Sequence, residues 1–233
     1  MQKNLTTIGF DADDTLWHNE RFFRLTQERF AELLADHAEA DHLAERLLAA
    51  ERRNLGHYGY GVKGFVLSMI ETALEVTEHR VPGAVIAELI AAGQEMLAHP
   101  IELLPHARAA VEAVAETHRV VLITKGDLLD QERKLAQSGL GELFDGVEIV
   151  SEKTAEVYGR VFARYGDGAD RAMMVGNSMR SDVAPAVHAG GWGVFVPHGL
   201  VWEIERADPP EGAVRFHEMP DLGGLPDLVA EIG

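Results

Sequence analysis

Between Pro105 and Val196 the chain alternates helical and extended patterns, and this alternation limits its fold more than any other feature. Residues 107–117 read as helix and 120–123, Val-Val-Leu-Ile, as a strand. Residues 128–138 are helical, closed by Gly139 as the residue just past the helix end. Then come a strand at 147–150, a helix at 154–165, a strand at 172–175, a helix at 183–189 stopped by Gly190-Gly191, and a strand at 194–196. Short strands separated by helices of this length build a parallel sheet covered by helices. An earlier apolar run, Ile8-Gly9-Phe10, is of the same type and belongs to the same sheet.

Residues 17–98 have a different texture. Phe22, Phe23, Phe30, Leu33 and Leu34 recur at helical spacing, as do Leu43, Leu47 and Leu48. Phe65, Met69, Ile70 and Leu74 mark a third helix, and Pro82-Gly83 starts a fourth through Ile86, Leu89, Ile90 and Leu97. Gly56, Gly59, Gly61 and Gly64 define a loop at 56–64. The fold expected is α/β: a Rossmann-like parallel sheet core, residues 1–16 and 99–233, with an inserted α-helical domain at 17–98. A final helix is expected near 225–232, after a Gly/Pro-rich tail.

The formal charge of −17 argues against nucleic acid or an anionic membrane as partner. With no cysteine, disulfides, thiolate zinc sites and cysteine nucleophiles are excluded. No apolar run approaches the ~18 residues of a membrane span, and no signal-peptide pattern opens the chain, so a cytoplasmic location is expected. The eleven histidines show no metal-ligand spacing and read as scattered. Trp192 and Trp202 read as packing residues. Oligomeric state leaves no mark in the sequence.

In open parallel sheets, ligands bind beyond the carboxyl ends of the strands. Four polar groups fall there: Asp11-Ala12-Asp13-Asp14-Thr15, Thr124-Lys125-Gly126-Asp127, Lys153, and Gly176-Asn177 through Asp182. Right-handed crossovers bring all four to one edge. Taken singly, each has a structural rival: Thr124 as a strand end, Lys153 as a solvated lysine, Asp182 as a helix cap. Together they suit phosphoryl transfer. An aspartate can form an acyl phosphate, and a second carboxyl can move the leaving-group and water protons. A hard, oxygen-bound cation offsets the phosphoryl charge, while a lysine and a threonine hydroxyl hold the remaining oxygens.

Phe10-Asp11-Ala12-Asp13-Asp14-Thr15-Leu16 resembles the opening motif of the haloacid dehalogenase (HAD) superfamily. Leu122-Ile123-Thr124-Lys125-Gly126 is similar to its second motif, Ser151-Glu152-Lys153 to its lysine motif, and Val175-Gly176-Asn177-Ser178 through Asp182 to its fourth. The helical segment resembles the cap that family inserts after the first motif. The resemblance implies a phosphatase that hydrolyses a small phosphorylated metabolite with Mg2+ through an aspartyl-phosphate. Asp11 would be the nucleophile and Asp13 the general acid/base, its carbonyl on the metal. Thr124 and Lys153 would be catalytic and, with Lys125, contact substrate; Asn177 and Asp182 would complete the metal site. Asn177 departs from the family's usual Asp, and Thr154 from its usual Pro. A carboxyl at position 13 favours phosphate ester hydrolysis over dehalogenation, since a carbon-bound halide needs no such proton donor. A phosphomutase uses the same groups. A phosphorylation-switched module of receiver type, or an inactive HAD-like scaffold, are the non-enzymatic alternatives. Residues 56–64, with His57, Tyr58, Tyr60 and Lys63, form the candidate substrate loop.

Overall fold

A computed structural model describes residues 5–233. The sheet is six-stranded and entirely parallel, in the order β3-β2-β1-β4-β5-β6. Its strands are β1 Thr7–Phe10, β2 Arg119–Lys125, β3 Gly146–Val150, β4 Ala172–Gly176, β5 Trp192–Phe195 and β6 Phe216–Glu218. β1 and β4 are buried along their whole length, as expected of parallel strands covered on both faces.

Alternate residues divide the core into two layers. Ile8, Phe10, Val120, Leu122, Met173 and Val175 face one way, against Ala110, Val111 and Val114 of α5 (Ala107–Ala115) and Leu225, Leu228 and Val229 of α9 (Leu225–Ile232). Val121, Ile123 and Met174 face the other way, against Tyr158, Val161 and Phe162 of α7 (Ala155–Tyr165) and Ala186 of α8 (Ala184–His188). The result is the helix–sheet–helix sandwich of a Rossmann-like α/β fold. Thr154 caps α7, its hydroxyl accepting from Val157 N at 3.3 Å.

The chain divides into two compact units. One comprises residues 1–19, Ile101–Lys125 and Gln131–Gly233, of which 1–4 lie outside the described residues; the other comprises Glu20–Pro100 and Gly126–Asp130. In the second unit lie α1 Glu20–Leu33, α2 Ala40–Tyr58, α3 Val62–Val76 and α4 Gly83–Ala98, around Phe30, Leu43, Leu47, Phe65, Met69 and Leu89. Trp17, within the helical segment of the sequence reading, is fully buried in the core of the first unit.

Three expectations need correction. The loop at 56–64 is only three residues long: α2 runs through Gly56 to Tyr58 and α3 begins at Val62. Gly64 lies inside α3, where a Cβ would come within 2.9 Å of Gly59 O, so its glycine serves close packing rather than a loop. β2 extends through Thr124 and Lys125, which end the strand rather than follow it. The tail contains β6, three residues paired with β5. Among the described residues no helix is long and apolar enough to cross a membrane.

Candidate active site

The order of the strands sets the location. β2 and β3 lie to one side of β1, and β4, β5 and β6 to the other, so the chain reverses direction at β1 and β4. A crevice opens outside the carboxyl ends of strands at such a reversal. Asp11 follows β1, its N–H donating to Val175 O at 2.9 Å, and Asn177 follows β4.

Lys153 Nζ lies 2.5 Å from Asp11 Oδ1 and 2.6 Å from Asp182 Oδ1. The three side chains are 2%, 9% and 1% exposed, so a lysine and two carboxylates share one desolvated cluster. Burial lowers the affinity of Lys153 for its proton, but the two carboxylates outweigh it and hold the ammonium charged. Burial, with Asp182 nearby, pushes the Asp11 carboxyl up to about 7, Lys153 acting against both. Asp182 Oδ2 accepts from Ser178 N at 2.9 Å. Gly176 permits that approach: a Cβ there would lie 2.3 Å from Asp182 Oδ2. Asp182 caps no helix; it sits in a wide turn over Met179–Val183. Both its oxygens accept from protein donors, Oδ1 from Lys153 Nζ and Oδ2 from Ser178 N.

Asp11 Oδ2 accepts from Thr15 Oγ1 at 3.0 Å, and Thr15 Oγ1 accepts from Asn177 N at 3.1 Å. The Asn177 amide stands 3.1 Å from Asp11 Oδ2 and 3.3 Å from Asp13 O. With its nitrogen inward it donates to both; with its oxygen inward, three oxygens of different chemistry converge. A carboxylate, a peptide carbonyl and an amide oxygen are the donor set of a hard divalent cation, so these residues fit Mg2+.

The Asp13 carboxylate is directed elsewhere. The turn after β1 closes tightly, with Leu16 N donating to Ala12 O at 2.8 Å and Asp14 at φ 60°. Asp11 and Asp13 therefore do not share the single direction that extended backbone would give them. Asp13 accepts from Trp17 Nε1 at 2.7 Å, from Lys134 Nζ at 2.9 and 3.1 Å, and from Gln131 Nε2 at 3.1 Å. Lys134 and Gln131 lie three residues apart on α6 (Leu128–Ser138), on one helical face, and both are buried. The sequence reading passed over both; the signal available was a lysine in a chain with only five. Thr124 Oγ1 accepts from Gln131 Nε2 at 2.7 Å. Gln131 Oε1 is buried and makes no hydrogen bond.

Lys125, expected to contact substrate, is held by Glu205 at 2.7 Å and Ser181 Oγ at 2.8 Å. Glu205 also accepts from Ser178 Oγ at 2.6 Å and Ser181 Oγ at 2.5 Å. Burial raises the Glu205 pKa, but Lys125 and the two hydroxyls more than offset it and hold the carboxyl below its ordinary value. The sequence reading did not name Glu205, which lies in an irregular stretch with no periodicity. Lys63 of the candidate substrate loop pairs with Asp127 at 2.9 Å within the second unit.

Residues 5–190 match the haloacid dehalogenase-like hydrolase family. A haloacid dehalogenase-like family hydrolase from Xanthomonas campestris is 44% identical, with a TM-score of 0.86 over 98% of this chain and 91% of its own. Magnesium-bound YfnB from Bacillus subtilis is 15% identical, with a TM-score of 0.67 over 97% of this chain and 99% of its own. L-2-haloacid dehalogenase from Xanthobacter autotrophicus is 17% identical, with a TM-score of 0.67 over 98% of this chain and 100% of its own. The last two likenesses, at such low identity, are of fold alone. A search of curated proteins found no match. The family match spans most of the chain, and the Xanthomonas relative shares nearly half its residues, so the chain belongs to the haloacid dehalogenase-like hydrolases.

Proposed function

We propose that this hydrolase is a magnesium-dependent phosphatase acting on a small phosphorylated metabolite, with Asp11 as nucleophile. The observation that carries the reading is the convergence of Asp11 Oδ2, Asp13 O and the Asn177 amide beside a buried Asp11–Lys153 pair. These three groups would hold Mg2+, as the magnesium-bound YfnB fold makes reasonable. When bound, the ion supplies positive charge that offsets the phosphoryl oxygens and the Asp11 carboxylate.

The remaining work falls to side chains. An Asp11 carboxylate oxygen forms a bond to phosphorus as the bond from phosphorus to the ester oxygen breaks. Lys153 shifts part of its hydrogen bonding from Asp11 to a phosphoryl oxygen, and Thr124 holds another. Asp182 and Ser178 fix Lys153 in place, so Asp182 positions the lysine rather than binding metal. Asp13 gives a proton to the departing ester oxygen, then as carboxylate takes one from the water that attacks phosphorus. That water attack breaks the Asp11–phosphorus bond and releases inorganic phosphate. Trp17, Lys134 and Gln131 fix the direction of the Asp13 carboxyl for both steps. Lys125, tied to Glu205, steadies the loop carrying Ser178 and Ser181. Substrate choice is assigned to the helical unit, residues 20–100, as the inserted cap.

The test is turnover by purified enzyme with and without magnesium, on p-nitrophenyl phosphate, a panel of sugar and small-acid phosphates, and 2-haloacids. Magnesium-dependent phosphate release, lost in Asp11→Asn, supports the reading. Halide release without phosphate release overturns it in favour of dehalogenation.

A further inference from the structure

The histidines read as scattered, yet the fold gathers two of them with a carboxylate. Asp14, His18 and His198 each offer a ligand atom, and these atoms all lie within 4.8 Å of one another. Asp14 and His18 belong to the turn after β1, and His198 to the segment after β5. All three belong to the first compact unit. We propose that Asp14, His18 and His198 form a second metal site, taking a divalent transition ion of the zinc class.

The geometry of His198 carries the argument. Its Nδ1 lies 3.0 Å from Leu200 O, with Leu200 N farther away at 3.4 Å. With the ring proton on Nδ1 the shorter contact is a hydrogen bond to the carbonyl, and Nε2 is turned toward the cluster. A ring N–H donated to a backbone carbonyl is how metal-binding histidines are oriented. Nε2 faces Asp14 Oδ1 at 3.6 Å, too far for a hydrogen bond. A metal ion between the two atoms would take the place that a proton on Nε2 otherwise fills. Two ligand atoms, each about 2.0–2.1 Å from a tetrahedral zinc, stand roughly 3.3–3.4 Å apart, close to the observed separation. His18 meets His198 edge to face, with centroids 5.9 Å apart, so its ring borders the same space.

The carboxylate is held as well. Asp14 is 6% exposed, adopts the left-handed conformation at φ 60°, and accepts from Asn19 N at 2.8 Å through Oδ1. His18 N donates to Glu102 O at 3.1 Å, anchoring the second histidine to the segment before α5. Two imidazoles and one carboxylate suit zinc, iron, cobalt or nickel over magnesium, which prefers oxygen ligands only. His18 and His198 are partly exposed, leaving a side open for a water ligand. An ion there would tie the turn after β1 to the segment after β5.

The test is a zinc titration of chelator-treated protein in excess magnesium, repeated in the Asp11→Asn background to silence the first site. One tight equivalent is expected in both proteins, with a raised melting temperature and, using cobalt, a visible absorption band. His18→Ala, His198→Ala and Asp14→Asn should each weaken zinc by more than the roughly 10–100-fold cost of losing an orienting partner. On unmodified protein, zinc should protect His18 and His198 from diethylpyrocarbonate while exposed His37 reacts as before; this readout stands even if a variant misfolds. No tight equivalent, one that survives the histidine substitutions, one that disappears in Asp11→Asn, or unprotected histidines would overturn the proposal.

Discussion

Replacing Lys153 with methionine removes the only cation from a cluster holding two carboxylates. Its side chain is 2% exposed, and those of Asp11 and Asp182 are 9% and 1% exposed, so water cannot take over its role. Breaking a buried ion pair by deleting one partner costs about 3–5 kcal/mol. One escape limits the loss. Asp11 is already pushed up to about 7 with Lys153 present, so without the lysine it binds a proton at neutral pH and leaves Asp182 as the stranded charge. For a chain of this length 1 kcal/mol moves the melting temperature by about 2–4 °C, giving a fall of roughly 6–20 °C. The sign of the pH dependence follows from Asp11. Its folded pKa lies above its ordinary 3.8, so its ionisation costs stability in full above about 7 and not at all below 3.8. Lys153→Met enlarges that cost, so its deficit against wild type narrows as pH falls from 7.5 to 5. Circular dichroism melts in metal-free buffer read both effects. Lys153→Met with Asp182→Asn should recover about 0.5–3 kcal/mol of the single loss, the range for coupled neighbours. A loss under about 1 kcal/mol, or single effects that simply add, would refute the shared buried cluster.

Four other outcomes follow from the site. Asn177→Asp adds a charged oxygen beside Asp11 and Asp13 O and should tighten magnesium binding in calorimetric titrations. Asp182→Asn, whose oxygens are turned to Lys153 and Ser178, should leave magnesium affinity near wild type while lowering turnover. Asp13→Asn should slow sugar phosphates by roughly 10²–10⁴-fold and p-nitrophenyl phosphate by less, because an alkoxide needs the proton more; equal losses would confine Asp13 to the water step. Glu205→Gln should lower the melting temperature at pH 7. Because the folded pKa of Glu205 is depressed below its ordinary 4.5, its contribution is present above that value and lost as pH falls through the folded one. The offset between wild type and variant should therefore shrink in melts as pH falls below 4.5, and a constant offset would count against the Lys125–Glu205 contact.

The parts of the fold that could be read from sequence were those with strong periodicity. β1, β2 and β4 are apolar runs broken by polar residues at their carboxyl ends, and the topology carries those ends to one edge. That is how Asp11, Lys153, Asn177 and Asp182 could be grouped from positions spread across the chain. β6 could not be found this way, because Phe216-His217-Glu218 has two half-polar exposed positions and is ordered only by pairing with β5. Gly56 and Gly64 read as loop because glycine usually breaks helices, yet both lie inside helices: Gly64 is packed close against Gly59 O, while Gly56 lies exposed near the end of α2. The partners of Asp13 were hidden for another reason: Lys134 and Gln131 lie more than a hundred residues away, on a helix whose inward face only the folded structure identifies. His18 and His198 are farther apart still, and no local spacing joins them.

Asp11 as the acceptor of the phosphoryl group can be observed directly. Wild-type enzyme turning over p-nitrophenyl phosphate with magnesium is quenched in acid within the first turnovers, digested, and its peptides are weighed. The account predicts a single phosphoryl group, labile to hydroxylamine, on the peptide carrying Asp11, and none on Asp11→Asn treated in the same way. A burst of nitrophenol with the phosphoryl group on another residue, or with no labelled peptide at all, would contradict it.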